Sequence, residues 1–180
     1  MSGGFGRREA GAARPQLGKH PDLVELAAGC GNAAAMTGLS DVLQLRVRYS
    51  ETDQMGTFYN SRALEWFECG RTELMRHRFG MSYAVLEARG VFLPLVEAHL
   101  EFEGRARYDD LLEMASSVEM SGRARLRFDV EISNAESRKA VVRGYTVHAF
   151  TGRQGKPIRP PGWFMEMMAK AAGEAEAAKG

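Results

Sequence analysis

One acidic residue, Asp53, has the type and the position that acyl chemistry would need. It lies between an alternating apolar segment and a segment with helical spacing. A carboxylate there would stand near the first backbone N–H groups of a helix, which have no intrahelical acceptor and attract developing negative charge. A carbonyl group with its oxygen on those N–H groups would present its carbon to the carboxylate, as acyl transfer requires. The structural alternative is that Asp53 only stabilises the turn before the helix, and the position by itself favours that alternative.

The helix that would position Asp53 is predicted from Asn60 to Gly80. Asn60 is a favourable N-cap, because its side chain can accept a hydrogen bond from a first-turn N–H group. Basic residues in the last turn complement the helix dipole before Gly80 ends the helix. Gly70 would let a sheet approach closely. The apolar stripe has the spacing of a buried helix face: Ala63, Phe67, Gly70 and Leu74.

Alternation of apolar and polar residues predicts that the rest of the domain is mostly sheet. The predicted strands cover residues 41–49, 96–102, 112–120, 124–132 and 139–150. Gly122 and Asn134 fall at breaks between strands, where hairpin turns need such residues. The order is therefore one strand, one long helix and four strands in a meander, an α+β arrangement with a five-stranded antiparallel sheet. Shorter helices are predicted over 83–89 and from 163 to about 172.

Residues 1–40 are rich in glycine, alanine and arginine and have few large apolar side chains. Such a segment buries too little surface to offset its ordering entropy, so it is predicted to be a disordered extension. Met36, just before the predicted ordered region, is a candidate native start. The domain is predicted to cover 41–172, followed by a flexible tail over 173–180. A chain of 180 residues fits this single domain.

Composition and charge argue against several classes of protein. The formal net charge of +1 is unlike that of a general nucleic-acid binder, and no apolar run is long enough to cross a bilayer. Cys30 and Cys69 form no C-x-x-C pair, which favours a reducing, cytoplasmic setting over a disulfide framework. The four histidines lack ligand spacing, so neither a metal nor another cofactor is predicted.

Three segments resemble a known family. The run RYSETDQMGTFYNSRALEWFECGRTELMR, residues 48–76, resembles the signature of the hotdog-fold acyl-CoA thioesterases, in particular the 4-hydroxybenzoyl-CoA thioesterase type and its YbgC-like relatives. ARYDDLLEM, residues 106–114, resembles the loop that enters the third strand in that family. GKPIRPP, residues 155–161, resembles the segment after its last strand. The similarity covers roughly residues 45–166, in the same order as in the family.

The resemblance implies a hotdog fold, in which a five-stranded sheet wraps around one long central helix, and a homodimer or homotetramer. It implies an acyl-CoA substrate, with Asp53, followed by Gly56, as nucleophile or as general base towards water. The thioester oxygen would accept a hydrogen bond from the backbone N–H of Asn60, with Tyr59 beside it. YbgC-like relatives commonly have histidine at the position of Asn60. Asn60 still supplies a backbone N–H donor, whereas a role that needs an imidazole is not possible with asparagine at this position.

Coenzyme A carries phosphates, so its binding site needs cations. Arg123 and Arg125 flank the turn after the third strand, where the family places basic residues that contact the nucleotide. Lys156 and Arg159 are second candidates. The alternative is that all four are solvated surface side chains. The aromatic residues near the helix start are candidate walls of an acyl pocket at a dimer seam or, equally, core residues: Phe58, Tyr59, Trp66 and Phe67.

Three charged helix residues match the family pattern: Glu68, Arg71 and Glu73. Charge pairing on the helix surface or at a subunit interface is their favoured interpretation. Other functions stay open. A hotdog hydratase or dehydratase would pair a histidine with Asp53, and none lies near it. A non-catalytic acyl or CoA-binding module and a thioesterase for acyl-carrier-protein esters are the alternatives, since fold alone does not establish activity.

Overall fold

The structure is a computed structural model that describes residues 39–177. The predicted extension over 1–40 therefore lies almost wholly outside the described residues. Five strands form one antiparallel sheet: β1 Leu39–Arg46, β2 Leu95–Phe102, β3 Leu111–Met120, β4 Arg125–Asn134 and β5 Ala140–Ala149. Three α-helices lie in the described range: α1 Ser61–Phe79, α2 Tyr83–Ala88 and α3 Gly162–Ala177. Each predicted strand and helix is present, with ends shifted by a few residues.

The strand order is β1-β3-β4-β5-β2, so the predicted meander is wrong. β2 does not pair with β3, the next strand in the chain. It pairs with β5, and residues 103–110 return the chain to β3, which lies beside β1. The close approach of β2 to β5 depends on Gly144, since a Cβ atom there would collide with the carbonyl oxygen of His99. Alternation indicates the two faces of a strand but not its neighbours, so the pattern could not supply this order.

The central helix α1 packs against one face of the sheet. The predicted apolar stripe is confirmed, because Ala63, Phe67 and Leu74 are at most 1% exposed. Gly70 lies directly on β3: a Cβ atom at this position would be 2.5 Å from Oγ of Ser116. Any side chain at position 70 would therefore push the helix away from the sheet.

The start of α1 differs from the prediction at Asn60. Its backbone already has helical angles, φ −51° and ψ −35°, and its side chain makes no capping hydrogen bond. The carbonyl oxygens of Tyr59 and Asn60 accept from the N–H groups of Arg62 and Ala63, at 2.8 and 3.2 Å. A side-chain cap needs an extended backbone, which Asn60 does not have. The end is as predicted, with Gly80 in a left-handed conformation at φ 59°.

The core falls into two clusters along α1. The cluster beside the helix start includes Val47, Phe58, Trp66, Leu112 and Ile132. The cluster beside the helix end includes Leu74, Phe79, Leu126, Phe128 and Phe150. α3 covers the second cluster, with the Phe164 ring centroid 5.0 Å from that of Phe150 and 6.2 Å from that of Phe79. α3 continues to Ala177, beyond its predicted end at about 172.

Candidate active site

Asp53 lies in a closed loop between β1 and α1, here called the 51–59 loop. Its base is fastened by the N–H of Tyr59, which donates to the carbonyl oxygen of Glu51 at 2.8 Å. Nearer the tip, the N–H of Asp53 donates to the carbonyl oxygen of Thr57 at 2.8 Å. Gly56 has φ +70°, a conformation that residues with a side chain rarely adopt, which explains the glycine three positions after Asp53. These hydrogen bonds give the loop a defined backbone path.

The Asp53 carboxylate is half-buried and has one oxygen engaged. Oδ1 accepts a hydrogen bond from the N–H of Met55 at 2.8 Å and a longer one from the N–H of Thr57 at 3.5 Å. Within residues 39–177, Oδ2 accepts no hydrogen bond. The turn role and a chemical role are therefore compatible. Oδ1 holds the side chain to its own turn, and Oδ2 is available to react.

The start of α1 offers backbone N–H donors at the end of the loop that carries this carboxylate. The N–H groups of Asn60 and Ser61 donate to no acceptor among the described residues. Tyr59 differs, because its N–H already closes the 51–59 loop. Asp53 and Asn60 each lie within two residues of the Glu51–Tyr59 hydrogen bond, so loop closure brings the carboxylate towards the donors. Donors at a helix start suit a carbonyl oxygen that gains negative charge.

Sequence reasoning missed Glu51, whose residue surface is only 2% exposed. Its carboxylate accepts from the backbone N–H and the guanidinium of Arg48 and from Nε1 of Trp66, at 2.7, 2.8 and 3.1 Å. Burial raises the pKa of Glu51, but the hydrogen bonds from Arg48 and Trp66 outweigh burial, so the pKa is lowered overall. The signal in the sequence was an acidic residue two positions before Asp53, in a loop without periodicity.

The four aromatic residues predicted as pocket walls or core residues divide into two groups. Phe58, Trp66 and Phe67 are at most 2% exposed and lie in the core, with the ring centroids of Phe58 and Trp66 4.9 Å apart. Tyr59 is 60% exposed. Phe102, at the end of β2, is half exposed, and its ring centroid lies 6.1 Å from that of Phe58. The exposed apolar surface at and near the loop therefore includes Met55, which is 73% exposed, as well as Tyr59 and Phe102.

Arg123 and Arg125 lie at the hairpin between β3 and β4, and the loop after β5 comes to the same place. The N–H of Phe150 donates to the carbonyl oxygen of Ala124 at 3.0 Å, and the N–H of Ile158 donates to that of Phe150 at 2.9 Å. A groove at this hairpin, here called the hairpin groove, is lined by Gly122, Arg123, Arg125, Ala149 and Pro157. Four exposed basic residues make no ion pair within the described part of the chain: Arg123, Arg125, Lys156 and Arg159.

The two predicted parts of the site lie at opposite ends of the sheet. The 51–59 loop follows the end of β1, which pairs with the start of β3, whereas the hairpin groove follows the end of β3. The 10 residues of β3 span about 30 Å at the usual rise of a strand. One protomer therefore does not bring Asp53 and the hairpin cations together.

Comparison with known families identifies the scaffold. A family model described as Thioesterase-like superfamily matches residues 47–168, more than half of the chain. The chain belongs to the thioesterase-like superfamily. The matched segment contains the 51–59 loop, α1 and the hairpin groove.

Relatives and solved structures agree with this membership. "Putative acyl-CoA thioesterase YneP" of Bacillus subtilis (strain 168) is 34% identical over 76 residues, 42% of this chain and 54% of YneP, so the match spans about half of that relative. "Acyl-CoA thioester hydrolase YbgC" of Escherichia coli O6:H1 is 31% identical over 93 residues, 52% of this chain and 69% of YbgC. The crystal structure of DHNA-CoA thioesterase from Staphylococcus aureus has 26% identity and a TM-score of 0.67, covering 78% of this chain and 93% of that one. The predicted hotdog fold and the resemblance are confirmed.

The charged residues of α1 behave differently from one another on this thioesterase-like scaffold. Glu73 forms an ion pair with Arg76, as predicted for the helix surface. Arg71 pairs with no carboxylate in the range 39–177; its guanidinium lies 4.9 Å from the Tyr83 ring centroid and donates to the Tyr83 hydroxyl at 3.2 Å. Glu68 is exposed and likewise has no ion pair among these residues.

His148 is a buried polar residue near the end of β5 on the side of the hairpin groove, and the sequence pattern did not single it out. It is 2% exposed, with Nε2 3.2 Å from the Thr146 hydroxyl and Nδ1 2.9 Å from the carbonyl oxygen of Leu93. Burial, together with the nearby Arg71 guanidinium, lowers the pKa of His148 to about 4. The imidazole is therefore neutral at pH 7.

The part of the chain that the structure describes lacks two further features. No group of three histidine, cysteine, aspartate or glutamate residues there could hold a metal ion. None of the helices there has both the length and the apolar character needed to cross a membrane.

Proposed function

We propose that the protein hydrolyses acyl-CoA thioesters to a free acid and coenzyme A, with Asp53 as the reacting carboxylate. The observation that carries the proposal is that Oδ2 of Asp53 and the N–H groups of Asn60 and Ser61 have no hydrogen-bond partner among the described residues, and that all three residues lie within two positions of the hydrogen bond that closes the 51–59 loop. Membership of the thioesterase-like superfamily supports the reaction class. The names of the relatives YneP and YbgC support an acyl-CoA ester as the substrate.

In the proposed reaction, the thioester oxygen accepts hydrogen bonds from the N–H groups of Asn60 and Ser61. These donors stabilise the negative charge that develops on this oxygen when the carbonyl carbon is attacked. As a nucleophile, Asp53 would form an acyl anhydride, the C–S bond would break, and water would then hydrolyse the anhydride. As a general base, Asp53 would take a proton from water as the water oxygen attacks, and the C–S bond would break afterwards. In both routes the sulfur leaves as the thiol of coenzyme A after gaining a proton.

A homodimer built along β2 is part of the proposal. β2 is an edge strand of the sheet, and Leu95, Val96 and Phe102 on it are about half exposed. An edge with unpaired backbone groups and exposed apolar side chains is a ready template for pairing with another chain. A second copy of β2 would both pair that edge and cover those side chains.

A two-fold axis beside β2 would also complete the site. Such an axis pairs β2 antiparallel with β2 of the partner, so the strands of the partner's sheet run in the opposite direction. The Leu95 end of β2 lies towards the hairpin groove, opposite His148, whereas Phe102 lies towards the 51–59 loop, opposite Val142. The partner's hairpin groove would therefore come to the same end as Asp53. Each site would take its carboxylate from one protomer and its basic hairpin from the other.

The hairpin groove is proposed to bind the nucleotide part of coenzyme A. Arg123 and Arg125, with Lys156 and Arg159 nearby, present positive charge that no carboxylate of the described residues neutralises. Guanidinium groups suit phosphates because they donate two parallel hydrogen bonds. This charge also favours a CoA ester over an acyl-carrier-protein ester, whose pantetheine arm has no adenine nucleotide.

The acyl group is proposed to lie between α1 and β2, near the seam of the dimer. Leu64 on α1 and Phe102 on β2 are apolar and exposed, and Phe102 packs close to Phe58 below the 51–59 loop. Tyr59, at the mouth of this surface, adds an exposed aromatic ring. An apolar or aromatic acyl group suits these side chains.

The first experiment measures release of coenzyme A from benzoyl, short-chain and long-chain esters by wild type and by Asp53→Asn. The amide keeps the shape of the side chain and removes the charge that either role needs. The turnover number of the variant is expected to fall by about 100- to 10,000-fold, with the fold and the oligomeric state unchanged. The ester with the highest kcat/KM names the substrate class.

Two outcomes would oppose the proposal. A wild-type protein that binds esters but releases no thiol would make it a non-catalytic acyl-CoA module. An Asp53→Asn variant with wild-type turnover would leave the reaction class standing and exclude the mechanism.

The shared site can be tested by mixing two impaired variants. Asp53→Asn and Arg123→Ala/Arg125→Ala homodimers each have two damaged sites, whereas their heterodimer would have one site with both intact parts. Under random exchange, about half of the dimers are mixed, so activity at low substrate should recover to about a quarter of the wild-type value. Recovery no greater than the sum of the two separate variants would exclude a site shared between protomers.

A further inference from the structure

We propose that Glu51 is a positioning residue that holds Asp53 in place against the start of α1. The inference rests on the proposed function and adds to it a residue that would not itself touch the substrate. Glu51 is 2% exposed, and both carboxylate oxygens accept hydrogen bonds. A buried carboxylate with both oxygens engaged resists movement, because leaving a buried acceptor without its hydrogen bond costs the desolvation of that group.

The donors to Glu51 come from two different elements. The backbone N–H of Arg48 donates to Oε2 at 2.7 Å, and its guanidinium donates to Oε1 at 2.8 Å, just after β1. Nε1 of Trp66, in the second turn of α1, donates to Oε1 at 3.1 Å. The side chain of Glu51 therefore connects the end of the strand to the helix across the 51–59 loop.

The backbone of Glu51 fastens the same loop. Its carbonyl oxygen accepts from the N–H of Tyr59, the residue before the open donor of Asn60. Asp53 follows two residues after Glu51. One residue thus fixes the position of the reacting carboxylate on one side and of the carbonyl-binding donors on the other.

The charge of Glu51 suits this role. Burial raises its pKa, but hydrogen bonds from the Arg48 guanidinium, the Arg48 backbone and Trp66 outweigh burial and lower it. The side chain is therefore ionised at neutral pH, and each hydrogen bond to it is charge-assisted, which makes it stronger than a neutral one.

The experiment compares Glu51→Gln with a matched variant, Asp41→Asn. The amide of Glu51→Gln keeps the size of the side chain but turns its NH2 group either towards the Arg48 backbone N–H or towards the Arg48 guanidinium and Nε1 of Trp66. Asp41 is also a mostly buried carboxylate, 8% exposed, and lies 2.7 Å from Nδ1 of His77 and 3.6 Å from Nε of Arg78. Asp41 lies near the start of β1, and its partners His77 and Arg78 lie in the last turn of α1, far from the 51–59 loop.

For Glu51→Gln, kcat is expected to fall about 10- to 100-fold with KM changed less than about threefold, because a small misplacement of reacting groups costs about this much. Asp41→Asn is expected to keep kcat within about twofold while losing a similar amount of stability in urea. In the Asp53→Asn background, adding Glu51→Gln should lower kcat little further, since Glu51 acts through Asp53. Equal kcat for the Glu51→Gln and Asp41→Asn variants would overturn the proposal.

A second variant, Trp66→Phe, tests the same role in case Glu51→Gln does not fold. Trp66→Phe removes one donor and leaves the two from Arg48. It is expected to lower kcat about 3- to 10-fold, again at nearly constant KM, as fits the loss of one of three hydrogen bonds. A change in KM alone, or no change at all, would contradict the positioning role.

Amide hydrogen exchange gives a readout that does not depend on activity. Glu51→Gln should speed exchange within residues 51–59 by at least about tenfold, whereas Asp41→Asn should not. If wild type hydrolyses no ester, the proposed function fails, and the exchange experiment still decides whether Glu51 holds the loop. If wild type is active but exchange over 51–59 is the same in both variants, the positioning role fails alone.

Discussion

The two ends of the sheet are built differently. At one end, the 51–59 loop is held by backbone hydrogen bonds and by the buried carboxylate of Glu51, and among the described residues Oδ2 of Asp53 and the N–H groups of Asn60 and Ser61 have no partner. At the other end, the hairpin groove presents exposed basic side chains without carboxylate partners among the described residues. The first arrangement fixes geometry, and the second supplies charge.

This difference matches what each step of the proposed function needs. Bond breaking at a thioester depends on the placement of a few atoms, so a rigid loop is an advantage. Attraction of phosphates depends on charge within reach, and flexible exposed arginines provide it. The core clusters follow the same division. Phe58 and Trp66 pack under the 51–59 loop, and Phe150 and Phe164 pack near the hairpin groove.

The largest effect expected from a substitution that leaves every charge in place is at the end of the sheet with the 51–59 loop. Asn60→Pro removes the backbone N–H together with the side-chain amide, and proline suits both the φ of −51° and the first turn of a helix. The kcat is expected to fall about 100- to 1,000-fold, as for the loss of an oxyanion donor, in a thiol-release assay. Asn60→Ala keeps the N–H and should retain kcat within about threefold. Similar kcat values for the two variants would mean that this N–H does not bind the substrate oxygen.

The next largest effect is expected at the hairpin groove. Arg123→Ala/Arg125→Ala should raise KM for an acyl-CoA by about 10- to 100-fold and leave kcat nearly unchanged, because hydrogen bonds from cations to phosphates are lost. The same acyl group on pantetheine, which lacks the nucleotide, should show no change. Lys170→Ala, an exposed cation on α3, is the control. A raised KM for the pantetheine ester would place these arginines elsewhere in the mechanism.

A smaller effect concerns the helix that joins the two ends. Gly70→Ala should lower the free energy of unfolding by about 1 to 3 kcal/mol, because the new methyl group would meet Ser116 and Met114. Gly173→Ala in α3, where a Cβ atom meets nothing within 4 Å, should instead raise stability by up to about 1 kcal/mol. Urea unfolding measures both. Equal and small changes would mean that α1 can move away from β3 without cost.

The smallest effect is expected from His148, which lies near the hairpin-groove end of β5 and whose protonation affects stability. Its pKa falls from 6.5 to about 4 on folding, because of burial and of the nearby Arg71, so between these pH values the unfolded chain binds a proton that the folded chain does not. The free energy of unfolding is therefore unaffected by protonation of His148 above pH 6.5 and decreases as the pH drops from 6.5 towards 4. Urea unfolding at several pH values should show this decline, and His148→Asn should reduce it. An unchanged pH dependence in His148→Asn would exclude His148 as its source.

Much of the fold could be predicted from local pattern. The alternation of β3 and β4 and the apolar stripe of α1 gave elements close to those observed, because burial of one face imposes a period on the sequence. The turn at Gly122 and the helix end at Gly80 were also predictable, because glycine is favoured where the backbone needs a positive φ, and both residues have one. The resemblance of residues 48–76 to a family signature indicated the superfamily and singled out Asp53.

The sequence by itself therefore determined the elements, the superfamily and the residue on which the proposed chemistry depends. Only the tertiary structure decided that β2 lies beside β5, that Glu51 is buried between Arg48 and Trp66, and that the hairpin groove is a full strand length from Asp53. The physical reason is that periodicity records which face of an element is buried, whereas strand order and side-chain partners depend on contacts between residues far apart in the chain. Those contacts leave no regular spacing to interpret.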